Sequence, residues 1–277
     1  MNFQTKIYLA PMEGITTYVY RNAQAAVYSR LDKYFTPFLE PHEKRSFKKR
    51  ELQEILPENN RGLYVVPQIL TNRAEGFLEL AESLKNFGYR EMNLNLGCPS
   101  RTVVSKGKGA GFLAFPEELN RFLDTVFSGL AAAAPDMRVS VKTRAGMESP
   151  EEFMRLLEIF NQYPLEELIV HPRVQKDYYN NRPNLAVYRL AQQKSRAPVC
   201  YNGDLFTRKD LEDFCAEFPE ADRIMLGRGV IRDPGIAADR MTEEEAAERF
   251  RRFHGMVLEG YKGWNMGDRN VLFKMKE

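Results

Sequence analysis

Apolar and polar positions along the chain repeat one unit. A short run rich in Val, Ile, Tyr and Phe is followed by a loop, then by a stretch with apolar residues three or four positions apart. Eight runs read as strands: IYLAPM, KYFTPFLE, GLYVVPQIL, EMNLNLG, RVSVKTRAG, ELIVHPR, PVCYNGD and RIMLGRG. Between them RAEGFLELAESLKNFG, SPEEFMRLLEIFNQY and TRKDLEDFCAEF carry helical periodicity. Eight such units predict an α/β fold, a (β/α)8 barrel over residues 1–240. A doubly wound open sheet, also built from parallel strands buried on both faces, is the alternative. From about Met241 the unit gives way to TEEEAAERFRRFHGMVLEGY, where Thr242 is placed as an N-cap with Glu245 as its capping-box partner. Residues 241–277 are thus expected to form a short helical appendix.

Composition narrows the setting. With 277 residues and 43% hydrophobic content the chain can bury one large core as a single main domain. Forty Lys and Arg against 38 Asp and Glu leave a net charge of +2, too little to signal a nucleic-acid partner unless the positive charge is local. Cys98, Cys200 and Cys215 are odd in number and form no C-x-x-C pair, and MNFQTK runs into IYLAPM without an apolar signal core. A reducing cytoplasm, no metal and no membrane are expected, and a monomer. No apolar run approaches the roughly 18 residues a membrane span needs.

In a barrel of this kind the site lies at the C-terminal ends of the strands. Polar residues of otherwise apolar runs fall there each time. Gln68 closes the third, Cys98 follows the fourth, Lys142 and Arg144 the fifth, His171 and Arg173 the sixth, Asn202 and Asp204 the seventh, Gly227 and Arg228 the eighth. Singly, Cys98 could be an inert thiol, His171 a core histidine and Lys142 a surface charge. Jointly they point to one mouth. The loops after strands seven and eight of such barrels often cradle a phosphate. NGD at 202–204, with Gly203, and GRG at 227–229 fit that role, Arg228 adding a charged fork.

These residues carry a resemblance. APMEG at 10–14, Gln68, NLGCPS at 95–100, VKTRAG at 141–146, VHPR at 170–173, NGD at 202–204 and MLGRG at 225–229 resemble the tRNA-dihydrouridine synthases in order and spacing. The resemblance implies tightly bound FMN, NADPH as electron source, tRNA as partner, and reduction of the C5=C6 bond of a uridine. It implies Cys98 as the acid that protonates C5, a role that suits a thiol still protonated at neutral pH. Lys142 would face the flavin N1/O2 edge, Gln68 its polar edge, and Pro11 and Met12 its underside. Asn95 would orient the uracil. His171 and Arg173 would serve the flavin phosphate or the RNA, with Asn202, Gly203, Asp204, Gly227 and Arg228 at the phosphate end.

Departures are also visible. Thr17 and Asn93 stand where acidic residues are common in the family, VQKDYYNNRPN replaces its usual elements after VHPR, and the C-terminal helical part is shorter, a truncated or reduced RNA grip. HEKRSFKKR at 42–50, SRTVVSKGKG with Arg101, Lys106 and Lys108, and PRVQKDYYNNR with Lys176 and Arg182 would ring the mouth with positive charge. Two other readings share the cradle: an FMN barrel oxidoreductase acting on a free pyrimidine, in the manner of dihydroorotate or dihydropyrimidine dehydrogenases, and a flavin-free RNA-binding derivative.

Overall fold

The computed structural model describes residues 5–28, 30–42, 47–264 and 271. Its strands are β1 (Lys6–Leu9), β2 (Lys33–Phe35), β3 (Val65–Val66), β4 (Gln68–Ile69), β5 (Glu91–Leu96), β6 (Arg138–Gly146), β7 (Leu168–Val174), β8 (Val199–Tyr201) and β9 (Arg223–Leu226). All ladders are parallel, in the order β3-β2-β1-β9-β8-β7-β6-β5-β4. β3 and β4 are two halves of the run GLYVVPQIL, parted at Pro67. Proline lacks the N–H a ladder needs, so the strand changes partner there: Val65 and Val66 pair with β2, Gln68 and Ile69 with β5. The ring thereby closes to near completion, and β1 against β9 sets aside the open sheet.

Alternation along each strand sorts the core. Ile7 and Leu9 face the outer layer, where the first and last helices pack, whereas Tyr8 and Ala10 join Phe35, Val66, Ile169, Cys200 and Met225 in a small separate cluster inside the barrel. That cluster does not fill the lumen alone. Buried Lys33, Glu91, Asn93, Ser140, Glu167, Gln68 and Asn95 share it, so much of the barrel interior is polar. The helices between strands bury one stripe each. In Ala74–Asn86 the stripe is Phe77, Leu80, Ala81 and Leu84, and each fully buried Leu or Phe contributes about 1.5–3 kcal/mol. Thr207 caps Arg208–Glu217 through reciprocal bonds with Asp210.

The appendix is the helix Glu243–Lys262. Thr242 opens it with the expected capping box, its hydroxyl accepting from the Glu245 N–H at 3.2 Å and its own N–H donating to Glu245 at 2.8 Å. One face lies on the helix Tyr18–Val27: Phe253 meets Tyr20 edge-on at 5.3 Å, and Tyr261 Oη sits 3.0 Å from Thr17 Oγ1. Thr17 thus serves this packing. Among the described residues no helix is long and apolar enough to cross a membrane.

Candidate active site

At the C-terminal ends of the strands opens a cavity of about 520 Å³. Pro11, Met12, Gln68, Asn95, Cys98, Lys142, Arg144, His171, Asn202, Gly203, Asp204, Gly227 and Arg228 all line it. Arg173 does not.

The loop after β5 holds Cys98 by its backbone. Asn95 Oδ1 accepts the N–H groups of Gly97 and Cys98, both at 3.0 Å, and the Cys98 carbonyl accepts the Ala110 N–H at 3.0 Å. Gly109 makes that return possible. Its φ of +55° is left-handed, and a Cβ there would stand 2.9 Å from the Cys98 carbonyl oxygen. Burial pushes the Cys98 thiol above its ordinary range, while a backbone hydrogen bond from Ser100 and the charges of Lys142 and Arg144 pull the other way. The balance leaves a protonated thiol at neutral pH.

Lys142, projecting from β6 into the cavity, is brought down to about 8, first by burial and then by the Arg144 charge. Among the described residues no carboxylate pairs with it. Arg144 is spent on backbone: its donors meet Gly97 O at 3.0 Å, Val174 O at 2.9 Å and Tyr178 O at 2.7 Å. From β6 it ties the loop after β5 to the end of β7 and the loop after it. Tyr178 takes a φ of 49°, the one non-glycine described at positive φ, a conformation costing on the order of 1–3 kcal/mol. Tyr179 beside it lies 51% exposed at the rim.

His171 is held well below its ordinary range by burial and by Lys142, Arg144, Arg173 and Arg228. Arg173 Nη1 lies 3.0 Å from its Nε2. A guanidinium can only donate, so Nε2 accepts and Nδ1 carries the proton. Arg173, expected at the substrate, is instead 2% exposed behind the wall, bracing His171 and gripping Asp204. Asp204 also pairs with Arg228, whose guanidinium lies over the rings of Tyr179 and Phe206 at 4.5 and 5.0 Å. The phosphate-type loops are interlocked. A Cβ on Gly229 would stand 2.1 Å from the Leu205 carbonyl, and Asn202 Nδ2 donates to Met225 O at 2.8 Å.

Glu13, Phe38 and Phe206 also line the cavity but draw no role from the sequence. Only Glu13, inside APMEG, carried a signal. The basic rim is partly neutralised: Arg50 pairs with Glu13 at 3.4 Å, Lys108 with Glu40 at 3.4 Å, and Lys176 with Glu148 at 3.4 Å. Arg101, Lys106, Arg182, Lys48 and Lys49 are exposed. Residues 43–46 of the 42–50 run lie outside the described residues, as do 272–277.

A nearly closed parallel barrel with a cation-rich cavity at the C-terminal ends of its strands has the architecture of a barrel enzyme with its site at that mouth. Comparison with known proteins sharpens this. The family model described as dihydrouridine synthase (Dus) matches residues 8–262. A tRNA-dihydrouridine(16) synthase of Yersinia pestis is 28% identical over 84% of this chain and 75% of its own. A probable tRNA-dihydrouridine synthase of Staphylococcus epidermidis is 27% identical over 91% of this chain and 78% of its own. Among solved structures, the old yellow enzyme from Trypanosoma cruzi shares the fold with a TM-score of 0.58 at 9% identity, over 88% of this chain and 92% of that one. The chain belongs to the dihydrouridine synthase family, which makes it a flavin-dependent oxidoreductase.

Proposed function

We propose that this protein reduces the C5=C6 bond of a uridine in tRNA, with FMN in the barrel mouth and NADPH as electron source. The observation that carries the reading is the protonated thiol of Cys98 in one cavity with Lys142, Gln68 and Asn95.

The residues present suit FMN. Ala10, Pro11 and Met12 offer an apolar floor, and Gly227 leaves room that a Cβ would take up 3.5 Å from Ala10 and 3.8 Å from Met12. Arg228, Asn202, Gly203 and Gly227 would hold the phosphate end, with Asp204 and Arg173 setting the Arg228 fork and neutral His171 offering its Nδ1–H. Reduced FMN, when bound, supplies a hydride to uracil C6.

The chain's own residues do the rest. Lys142 would face the flavin N1/O2 edge, where negative charge gathers on reduction, and that charge would hold Lys142 as the ammonium. Gln68 would bind the ring's polar edge. Asn95 has both lone pairs of Oδ1 committed to backbone N–H groups. It therefore turns an N–H, not an oxygen, to the ligand, which suits the O4 carbonyl of uracil. Cys98 gives its proton to C5, and the charges of Lys142 and Arg144 stabilise the thiolate left behind. The exposed cations of the rim would hold phosphates around a flipped-out base. Residues 1–240 are the catalytic unit in this reading, 241–277 a helical part that would face the RNA, and the protein a cytoplasmic monomer.

The test is anaerobic. Purified protein should show flavin absorbance, be bleached by NADPH, and be reoxidised by unmodified tRNA with dihydrouridine in the product. Flavin-free protein, or reoxidation by free uracil or orotate but not by tRNA, would overturn the reading.

A further inference from the structure

A line of buried side chains crosses the barrel lumen from the Cys98 loop to the opposite end. Asn95 Nδ2 donates to Gln68 Oε1 at 2.8 Å, Gln68 Nε2 to Asn93 Oδ1 at 2.7 Å, and Asn93 Nδ2 to Ser140 Oγ at 2.9 Å. Ser140 Oγ donates to Glu91 Oε1 at 3.3 Å, sharing its proton with the Met92 carbonyl, also at 3.3 Å. Glu91 further accepts from Lys33 at 3.0 Å and from Tyr64 Oη at 2.7 Å. Glu91, Asn93, Ser140, Gln68 and Asn95 are each at most 7% exposed.

Every donor in this line points the same way, and both ends impose it. At the top, backbone N–H groups can only donate, so they fix the oxygen of Asn95 toward themselves and its nitrogen toward Gln68. At the bottom, the carboxylate of Glu91, engaged by Lys33, draws the Ser140 proton and turns a Ser140 lone pair to Asn93. The amides between have no freedom left. One flip would set N–H against N–H or oxygen against oxygen in a dry interior, where an unmade hydrogen bond costs about 1–3 kcal/mol.

We propose that Ser140 and Glu91 are positioning residues that, through Asn93, fix the amide orientation of Gln68 in the sense that the backbone N–H groups of Gly97 and Cys98 impose on Asn95. A carboxylate at the closed end of the barrel thereby sets which polar atoms Gln68 presents at its open end. Asn95 is left with an N–H to offer, so a base carbonyl is accepted and an exocyclic amine, as on cytosine, is refused. This rests on the cavity being the flavin and uracil site.

A double-mutant cycle on FMN affinity tests it without RNA. Gln68→Ala should weaken FMN about tenfold and Ser140→Ala about fivefold, the scale of one or two lost hydrogen bonds. In the Gln68→Ala background, Ser140→Ala should cost nothing further, because its effect passes through the missing amide. Effects that multiply, or a Ser140→Ala protein with unchanged affinity, would overturn the relay. Asn93 gives a second test should Ser140→Ala not fold. Asn93→Asp keeps an acceptor for Gln68 and should stay within about twofold of wild type, whereas Asn93→Leu should match Ser140→Ala; equal losses from both would contradict the relay. Wild-type protein that binds FMN but is not reoxidised by tRNA would overturn the substrate reading alone, the flavin cycle still deciding the relay. Protein that binds no FMN would overturn both.

Discussion

The two ends of the barrel are both charged, and they handle charge in opposite ways. At the lower end Lys33 sits between Glu91 and Glu167, Arg223 reaches Glu167 at 3.6 Å and also pairs with Asp222, and Arg138 meets Glu166 at 2.7 Å. Each cation there has its carboxylate. At the upper end Lys142, Arg144, Arg173 and Arg228 gather with Asp204 as the carboxylate that bridges two of them. Lys142 is left to burial and like charge, which is why its ammonium is held down near 8. The balanced end holds the barrel together. The unbalanced end has a place for negative charge that must come from elsewhere, as a flavin phosphate, a reduced flavin ring and an RNA backbone would bring.

Breaking the balanced end should have the largest effect on stability. Lys33→Met removes the cation held between Glu91 and Glu167, leaving them the more distant Arg138 at 3.9 Å and Arg223 at 3.6 Å, which costs on the order of 3–5 kcal/mol. Urea unfolding should show the midpoint falling steeply, with the same slope. A cavity substitution should do the reverse. Lys142→Met removes an unpaired, half-buried cation, so the flavin-free variant should be at least as stable as wild type while losing flavin. The sign of its pH dependence follows from the depressed ammonium. Between about 8 and the ordinary 10.5 the unfolded wild-type chain binds the proton that the folded chain has lost, so wild-type stability rises with pH across that window. The advantage of the variant should be full below about pH 8 and gone near 10.5, as thermal melts of flavin-free protein would record.

Much of this contrast was legible in the sequence at one end only. Strand-terminal Cys98, Lys142, His171 and Arg228 stood out because each breaks an apolar run at the same place in its unit. The lower-end ion cluster did not, because Lys33, Glu91 and Glu167 begin their strands, where a charge reads as the flank of a loop. Arg173 shows the limit of strand-end reasoning. It shares the facing of His171, two residues earlier, yet Asp204, 31 residues later in the chain, pulls its guanidinium behind the wall. Phe38 and Phe206 follow their strands in loops without a periodic signal, so only the folded chain brings them to the cavity. Pro67, read as part of one strand, is the point where that strand changes partner.

The smallest expected effect lies on the rim. Reversing Lys48, Lys49 and Arg50 to Glu should weaken tRNA binding and flatten its dependence on salt, by a slope of about 0.7–0.9 for each phosphate no longer neutralised, with flavin reduction by NADPH unchanged. Arg50, already paired with Glu13, should contribute least of the three when reversed alone, as filter binding across a salt series would resolve.

The central claim is that the guarded thiol at the unbalanced end gives a proton to the substrate. Stopped-flow comparison of wild type and Cys98→Ala tests it by separating two half-reactions on one protein. Reduction of bound flavin by NADPH needs no proton at uracil C5 and should proceed at close to the wild-type rate. Reoxidation by unmodified tRNA should slow by about 10²–10⁴-fold, the usual contribution of a positioned general acid. Reoxidation of Cys98→Ala at the wild-type rate, or an equal loss in both half-reactions, would contradict the account.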